Sequence, residues 1–401
     1  MKKYRTRRRL VWSAIAACML VLLACHRHEE GTVSSEDTPS SVEAGISEAE
    51  GTSSIDGLSS GVRKTSEKPS SALVGWVQTK VDHFVTLYPQ IPQGLTLHIV
   101  GREGDSQGWK RFSAAATEMV KQLNQSYGLK KEEAISLVID GSTKQENLEN
   151  QINVWDNLLV KSPDVMALSA VDMFSMKPQL EAAAESAIPV IGFDSGIVDE
   201  GYDKSYSGVI ETDYHQIGRD LMERLQRAGV LEGKVLILGS SDKTMSVQQM
   251  ISGLEEYRSE NLPRLERATV LYRNREADMT RLEDAKQWQG YAAVVGLSQN
   301  EVQAALTLRE KLAKPENQDK PPVVTGLGYT SKWTDDIEEQ KLLGVFDINH
   351  REVACATVAM SLEKAMAVLE QKEDAFHRVK VAHAWIDLET METEAIKNML
   401  E

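Results

Sequence analysis

Cysteine is scarce in this chain: 401 residues include three, Cys18, Cys25 and Cys355. That number excludes a disulfide framework, and the spacing excludes a cysteine metal cluster. An excess of positive charge is also missing. With 45 Lys and Arg against 60 Asp and Glu, the formal charge is −15. No basic field exists to hold a phosphate backbone, so nucleic acid is not an expected partner. No strand-like run is followed by Gly-x-Gly-x-x-Gly and no Walker sequence occurs, which removes dinucleotide and P-loop chemistry and leaves no cofactor to expect. A nucleophile elbow and a convincing triad are both absent, so hydrolysis is not expected either. His98, His215, His350, His377 and His383 show no ligand spacing and no cysteine partners, and no metal is expected.

What is present begins with charge. Six basic residues (Lys2, Lys3, Arg5, Arg7, Arg8, Arg9) precede an uncharged, mostly apolar run from Leu10 to Ala24. A basic flank, an apolar core and then small residues form the layout of a secretory signal. The run is shorter than the ~20 residues of an ordinary membrane-spanning helix. It ends in Leu22-Leu23-Ala24-Cys25, which resembles the bacterial lipobox, where the cysteine is diacylated and becomes the mature N-terminus. The resemblance implies a signal peptide over 1–24 and a lipid anchor, of the palmitate type, on Cys25. Cleavage would leave a formal charge of about −21, since six basic residues go and the 60 acids stay. Such a surface is repelled by anionic lipid, so the acyl chains must do the holding. The expected place is a cell membrane, lipid-anchored, facing the periplasm or the cell exterior.

Residues 25–70 are rich in Ser, Glu, Gly and Thr with no apolar period and read as a disordered tether. From Ser71 to Tyr88 the spacing of Val74, Val77, Val81, Phe84, Val85 and Tyr88 predicts one amphipathic helix within a 71–93 segment. Beyond Gln93, short apolar strands alternate with helical stretches: Leu95–Val100, then Trp109–Tyr127, Ile135–Ile139, and so on to Pro322–Thr325. This is the pattern of an α/β fold, a mostly parallel sheet covered on both faces. About a dozen units exceed one sheet of usual size, so two sheets are expected. Cys355, on an Ala- and Val-rich helical stretch, reads as a small buried apolar residue.

In open α/β sheets ligands sit beyond the carboxyl ends of the strands. The residues that follow each predicted strand are therefore the candidates: Gly101–Asp105, Asp140-Gly141, Asp194–Gly196, Gly239–Asp242, Ser298–Asn300 and Gly326–Tyr329. These loops carry Asp, Asn, Gln and Ser, the chemistry of hydroxyl recognition.

Three stretches together resemble the type I periplasmic binding proteins, in particular the glucose/galactose- and ribose-binding branch. Ile188-Pro189-Val190-Ile191-Gly192-Phe193-Asp194 is similar to one motif. Tyr202-Asp203-Lys204-Ser205-Tyr206, with Glu211-Thr212-Asp213 and Gly218 behind it, is similar to the inter-lobe stretch. Gln299-Asn300-Glu301, opening a helix after a strand, is similar to a third. The resemblance spans roughly Leu95 to Glu401. It implies two Rossmann-like doubly wound lobes joined by a three-strand hinge, with crossovers near Ile210, Ile348 and Val379. Lobe one would hold 94–210 and 349–378, and lobe two 211–348 and 379–401.

The same resemblance implies ligand contacts in the cleft. Trp109 falls where an aromatic stacks on a sugar face, Asp194 where a carboxylate accepts from hydroxyls, and Gln299 and Asn300 at two further contacts. Gln249 stands where an Arg clamps the ligand, Gly328 where a key Asp is found, and Asp347 or Asn349 in place of a hinge amide. The branch's calcium loop has no counterpart between Leu225 and Lys234. From the residues alone, Trp109 could equally be a core tryptophan, Asp194 a turn cap, and Asp105 and Asp140 solvated loop acids rather than ligand contacts. Trp76, Trp155, Trp288, Trp333 and Trp385 read as packing residues. The function implied is capture of a small polar ligand, expected to be a monosaccharide, by a monomer that delivers it to an ABC permease. The alternative is a sugar-sensing lipoprotein that signals to a membrane receptor kinase. A DNA-binding regulator of the same fold is excluded by the export signal and the lack of a helix-turn-helix headpiece.

Overall fold

The computed structural model describes residues 70–102, 104, 106–141, 147–194, 205–313, 320–372 and 375–400. The expected signal peptide, Cys25 and nearly all of the expected tether lie outside them, as do Asp105 and Tyr202–Lys204. The described part begins with the helix Ser71–Leu87, started by Ser70, whose hydroxyl accepts from the Leu73 amide. It buries Leu73, Val77, Val81 and Phe84, the apolar spacing of a single face, against the helix Gln107–Ser126.

Strands and helices then alternate into a first sheet: β1 (Thr96–Gly101), β2 (Ser136–Gly141), β3 (Val165–Leu168), β4 (Val190–Phe193) and β5 (Gly208–Thr212). A second follows with β6 (Lys234–Gly239), β7 (Thr269–Tyr272), β8 (Tyr291–Gly296), β9 (Val323–Leu327) and β10 (Val345–Ile348). The chain returns through the helix His350–Glu370, which packs on Gln107–Ser126 and on the first sheet. It closes with β11 (His377–Val381), paired parallel to β5, and β12 (His383–Ile386), paired antiparallel to β10. The orders are β11-β5-β4-β3-β1-β2 and β12-β10-β9-β8-β6-β7. All other pairings are parallel. This is the expected α/β architecture of two doubly wound sheets. Its continuous apolar strands are the cause: β3, β4 and β10 are buried at every residue, which requires cover on both faces.

The chain passes between the sheets three times, at Asp213, Asn349 and Ala382. The third differs from the expectation. Residues 379–401 were expected in lobe two, but β11 carries the first of them, and Val379 pairs with Ile210 in the first sheet. Likewise Glu211 and Thr212, placed by the sequence in lobe two, end β5 of the first sheet. Asp213 caps the following helix, Tyr214–Arg227, by accepting from the Gln216 amide. Cys355 is buried, and desolvation pushes its thiol up to about 12, so it behaves as an apolar side chain.

One buried base gives the fold a pH dependence. His98 on β1 is 5% exposed, and burial, aided by the charge of Lys161, lowers its pKa from 6.5 to about 4 against the pull of Asp164. Below pH 6.5 the unfolded chain binds a proton here that the folded chain refuses until about pH 4. The stability tied to neutral His98 is therefore whole above pH 6.5 and drains away as pH falls toward 4. The urea midpoint is expected to drop between pH 7 and pH 5 more in the natural protein than in His98→Gln. An equal drop in both would remove His98 from the account.

Candidate functional site

Four strands, β1, β8, β9 and β10, end where the two sheets face one another. The turn after β1 leads through Arg102 to Ser106, whose hydroxyl accepts from the Trp109 amide and starts the helix Gln107–Ser126. Across from it, β8 leads through Ser298 into the helix Gln299–Leu312, β9 through residues 328–330 into the short 3-10 turn Ser331–Trp333, and β10 through Asn349 into the helix His350–Glu370. Between these ends lies a cavity of about 540 Å³. The first-sheet side supplies Arg102, Ser106, Gln107, Gly108, Lys110 and Arg111. The second supplies Ser298, Gln299, Asn300 and Gln303, then Gly328 to Thr330 with Lys332 and Trp333, then Asp347. Ile348 and His350 complete the wall at the crossover.

Two guanidinium groups join the sides. Arg111 Nη1 donates to Asp347 Oδ2 at 2.6 Å, and its Nη2 donates to the Tyr329 carbonyl at 3.1 Å. The side chains are 12% and 2% exposed, so this is a buried pair rather than a surface contact. His350 Nε2 lies 4.0 Å from the other Asp347 oxygen. Arg102 spans β1 and the second-sheet helix Met245–Asn261: Nη1 donates to Ser246 Oγ at 3.1 Å and Nη2 to Asp194 Oδ2 at 3.3 Å. The other Asp194 oxygen accepts from the Tyr214 hydroxyl. Burial first, then the Asp194 charge, pushes the Tyr214 pKa well above its ordinary value, so the phenol remains a donor. Asp194 sits at φ 49°, in the left-handed region that Asp tolerates better than most residues.

The expected site residues divide. Gln299, Asn300 and Asp347 line the cavity together. Asp194 lies behind it, one residue away through Arg102. Gln249, half-buried on the helix Met245–Asn261, and Asp140, whose carboxylate accepts from the Gly141 amide, are outside its lining. Asp105 cannot be placed, being outside the described residues. Gly328, where an acid was expected, takes φ 90° and its Cα faces Gln299, so a side chain would be strained there.

Trp109 is packed as core rather than cavity wall. Its ring stacks on Phe112 at 5.2 Å between centroids and 4° between planes, and Phe112 stacks on Phe193 at 4.9 Å. The helical spacing puts Trp109 and Phe112 on the sheet-facing side and turns Lys110 and Arg111 toward the cavity. Trp109→Ala is therefore expected to cost about 2–3 kcal/mol in unfolding by urea, at or below the low end for a large aromatic because the ring is half-buried. Calorimetric ligand affinity should change less than threefold; a larger loss would return Trp109 to the site. The aromatic surface in the cavity comes instead from Tyr329, while Trp333, which also borders it, is buried in the core as expected of a packing residue. Trp333 Nε1 donates to Gln303 Oε1 at 3.1 Å, tying it to the neighbouring helix.

Sequence reasoning missed Lys110, Arg111, Lys332 and His350, while Arg102 and Tyr329 lay within the candidate loops Gly101–Asp105 and Gly326–Tyr329 without a role of their own. For two of them a signal existed. Lys110 and Arg111 stand near the start of a helix, where the macrodipole disfavours cations, and no acid offsets them in its first turn. Among the described residues no group of three or more His, Cys, Asp or Glu could hold a metal, and no helix is long and apolar enough to cross a membrane.

Comparison with known proteins agrees with this geometry. Residues 99–372 match the family described as periplasmic binding protein domain. No curated protein is significantly similar in sequence. Among solved structures, an ABC transporter solute binding protein from Agrobacterium vitis with bound D-fucose superposes with a TM-score of 0.63. It is 14% identical, over 76% of this chain and 99% of that one. A solute binding protein from Bacillus halodurans with bound myo-inositol gives 0.61 at 15% identity, over 77% and 99%. The binding component of the arabinose ABC transporter from Shewanella gives 0.60 at 17% identity, over 76% and 95%.

Proposed function

We propose, from the premise that this chain belongs to the periplasmic binding protein domain family, that it is an extracytoplasmic lipoprotein which binds a monosaccharide between its sheets and delivers it to an ABC importer. The observation that carries the reading is the cavity: about 540 Å³, within the range of small-molecule sites, walled by strand ends of both sheets. Gln299, Asn300 and Gln303 offer amides that both donate and accept, which suits hydroxyl groups. Tyr329 offers an apolar face for sugar C–H groups. The sugars and cyclitol named for the related structures favour a hydroxyl-rich ligand of this size.

Closure is the work such a site does. A ligand that bonds to both walls favours the closed arrangement over the open one by the difference between its interactions with the two. Arg111 and Arg102 already reach across the crossover region, so the ligand adds to contacts that the chain itself supplies. Binding and release, without turnover, is the activity in this reading. The lipid on Cys25 and the 25–70 tether would keep the binding unit near the importer.

The test is titration calorimetry of the full-length protein against a panel of pentoses, hexoses, cyclitols and their acidic and phosphorylated forms. At least one should bind, and Gln299→Ala with Asn300→Ala should weaken it about tenfold or more, the loss of one or two buried hydrogen bonds. Absence of heat and of any melting shift across the whole panel would end the sugar assignment.

A further inference from the structure

We propose that the ligand of this cavity carries an anionic group, a carboxylate or phosphate, on its hydroxyl-rich body; the inference rests on the sugar-binding reading above. In a chain with a formal charge of −15, the described lining reverses the sign. It contains four permanent cations, Arg102, Lys110, Arg111 and Lys332, and one carboxylate, Asp347. The two arginines have carboxylates of their own, Asp194 and Asp347. Among the described residues Lys110 and Lys332 form no ion pair.

Their placement makes this a matter of mechanism. Lys110 belongs to the first-sheet helix Gln107–Ser126, and Lys332 to the turn after β9 of the second sheet. Closing the cavity around a neutral guest concentrates two like charges about a shrinking, increasingly dehydrated space, which opposes closure. A guest with an anionic group reverses the sign of that contribution and makes the lysines part of the clamp.

Beside the three amides, a neutral sugar would also find few acceptors among the charged groups of the wall. Its hydroxyls need acceptors, and the single described carboxylate in the lining is engaged by Arg111 at 2.6 Å. Cationic nitrogens donate and cannot accept, so the surplus in this wall is of donors, which an oxyanion satisfies. The second-sheet helix Gln299–Leu312 adds to it. Ser298 turns its hydroxyl to Glu301 and makes no side-chain cap on that helix, whose amide end faces the cavity.

The experiment compares, by calorimetry on the full-length protein, each sugar of the panel with its uronate and its phosphate, and adds inorganic phosphate and acetate alone. An acidic or phosphorylated sugar is expected to bind at least about tenfold tighter than its neutral parent, the scale of a charge-assisted hydrogen bond, and to weaken with added salt. Both lysines are exposed, so Lys110→Gln and Lys332→Gln should fold normally. Each should remove most of that preference, weakening the charged sugar while the neutral parent, relieved of one of two like charges, binds no more weakly than before. If the neutral sugar binds as tightly as its charged forms, or the lysine variants keep the preference, the anionic inference falls and the sugar reading stands. If the simple anions bind as well as the charged sugars, the sugar reading falls and the anionic one stands. If nothing binds, both are overturned. Whether uronate or phosphate wins identifies the anionic group.

Discussion

Asp347→Ala is expected to lower the stability of the folded protein by about 3–5 kcal/mol, more than any other single change at the cavity. The size follows from what is left behind. Asp347 is 1% exposed overall, and the Arg111 side chain that it faces is 12% exposed, so removing the carboxylate strands a guanidinium in a space with little water. The Tyr329 carbonyl at 3.1 Å accepts one of its N–H groups but carries no net charge to balance it. The same logic dictates the control. Arg111→Met in the Asp347→Ala background removes the stranded charge, so the double variant should be more stable than Asp347→Ala alone, although it lacks two groups rather than one. Urea unfolding of the four proteins closes the cycle. If Asp347→Ala loses less than about 1 kcal/mol, the pair behaves as a surface bridge would, and its role in holding the sheets together is disproved.

That pair also marks how far the sequence could be read. Gln299 and Asn300 were visible because they follow an apolar strand, and α/β sheets place ligands there; Asp347 was reached through the family resemblance, in place of a hinge amide. Arg111 was not, because its partner lies 236 residues away and no local pattern records a contact at that distance. Asp194 was given a more direct role than its contacts suggest, since it lies outside the cavity lining and both of its oxygens are engaged by Arg102 and Tyr214. Trp109 shows the remaining weakness. An aromatic at a helix start was visible, but which way it faced depended on the helix's rotation, and the row of Trp109, Phe112 and Phe193 fixes that rotation by packing.

The fold was legible for a similar reason and failed at a similar place. Fully buried strands announce themselves as apolar runs. β11 does not: four of its five residues, His377 to Lys380, are exposed. An edge strand with charged side chains gives no apolar signal, so its boundary with β12 at Ala382 could not be seen. The second sheet's first crossover was likewise blurred by Glu211 and Thr212, polar residues buried inside β5. Glu211 is held there by Arg378 of β11 at 2.7 Å, again a partner far along the chain.

Gly253→Ala should be the most damaging small change away from the cavity, costing about 2–3 kcal/mol although alanine is the better helix former. The helices Tyr214–Arg227 and Met245–Asn261 cross in backbone contact. A Cβ on Gly253 would lie 2.0 Å from the His215 carbonyl oxygen, and one on Gly218 2.1 Å from the Met250 carbonyl oxygen. Neither neighbour is the movable end of a side chain, so the helices themselves must separate. Gly218, read in the sequence as part of a family motif, is thereby explained by packing. Gly75 supplies the contrast: it lies inside the helix Ser71–Leu87 with nothing within 4 Å of its would-be Cβ, so Gly75→Ala should stabilise by about 0.5–1 kcal/mol. The effect of Gly253→Ala should reach the ligand as well, because Ser246, which accepts from Arg102 at 3.1 Å, stands on the first turn of the helix that must move. Urea midpoints for the two variants should therefore shift in opposite directions, and calorimetry should show weaker binding for Gly253→Ala alone. Equal stability of Gly253→Ala and the natural chain would mean that the two helices are free to part without cost, and that their contact does not hold Ser246 against Arg102.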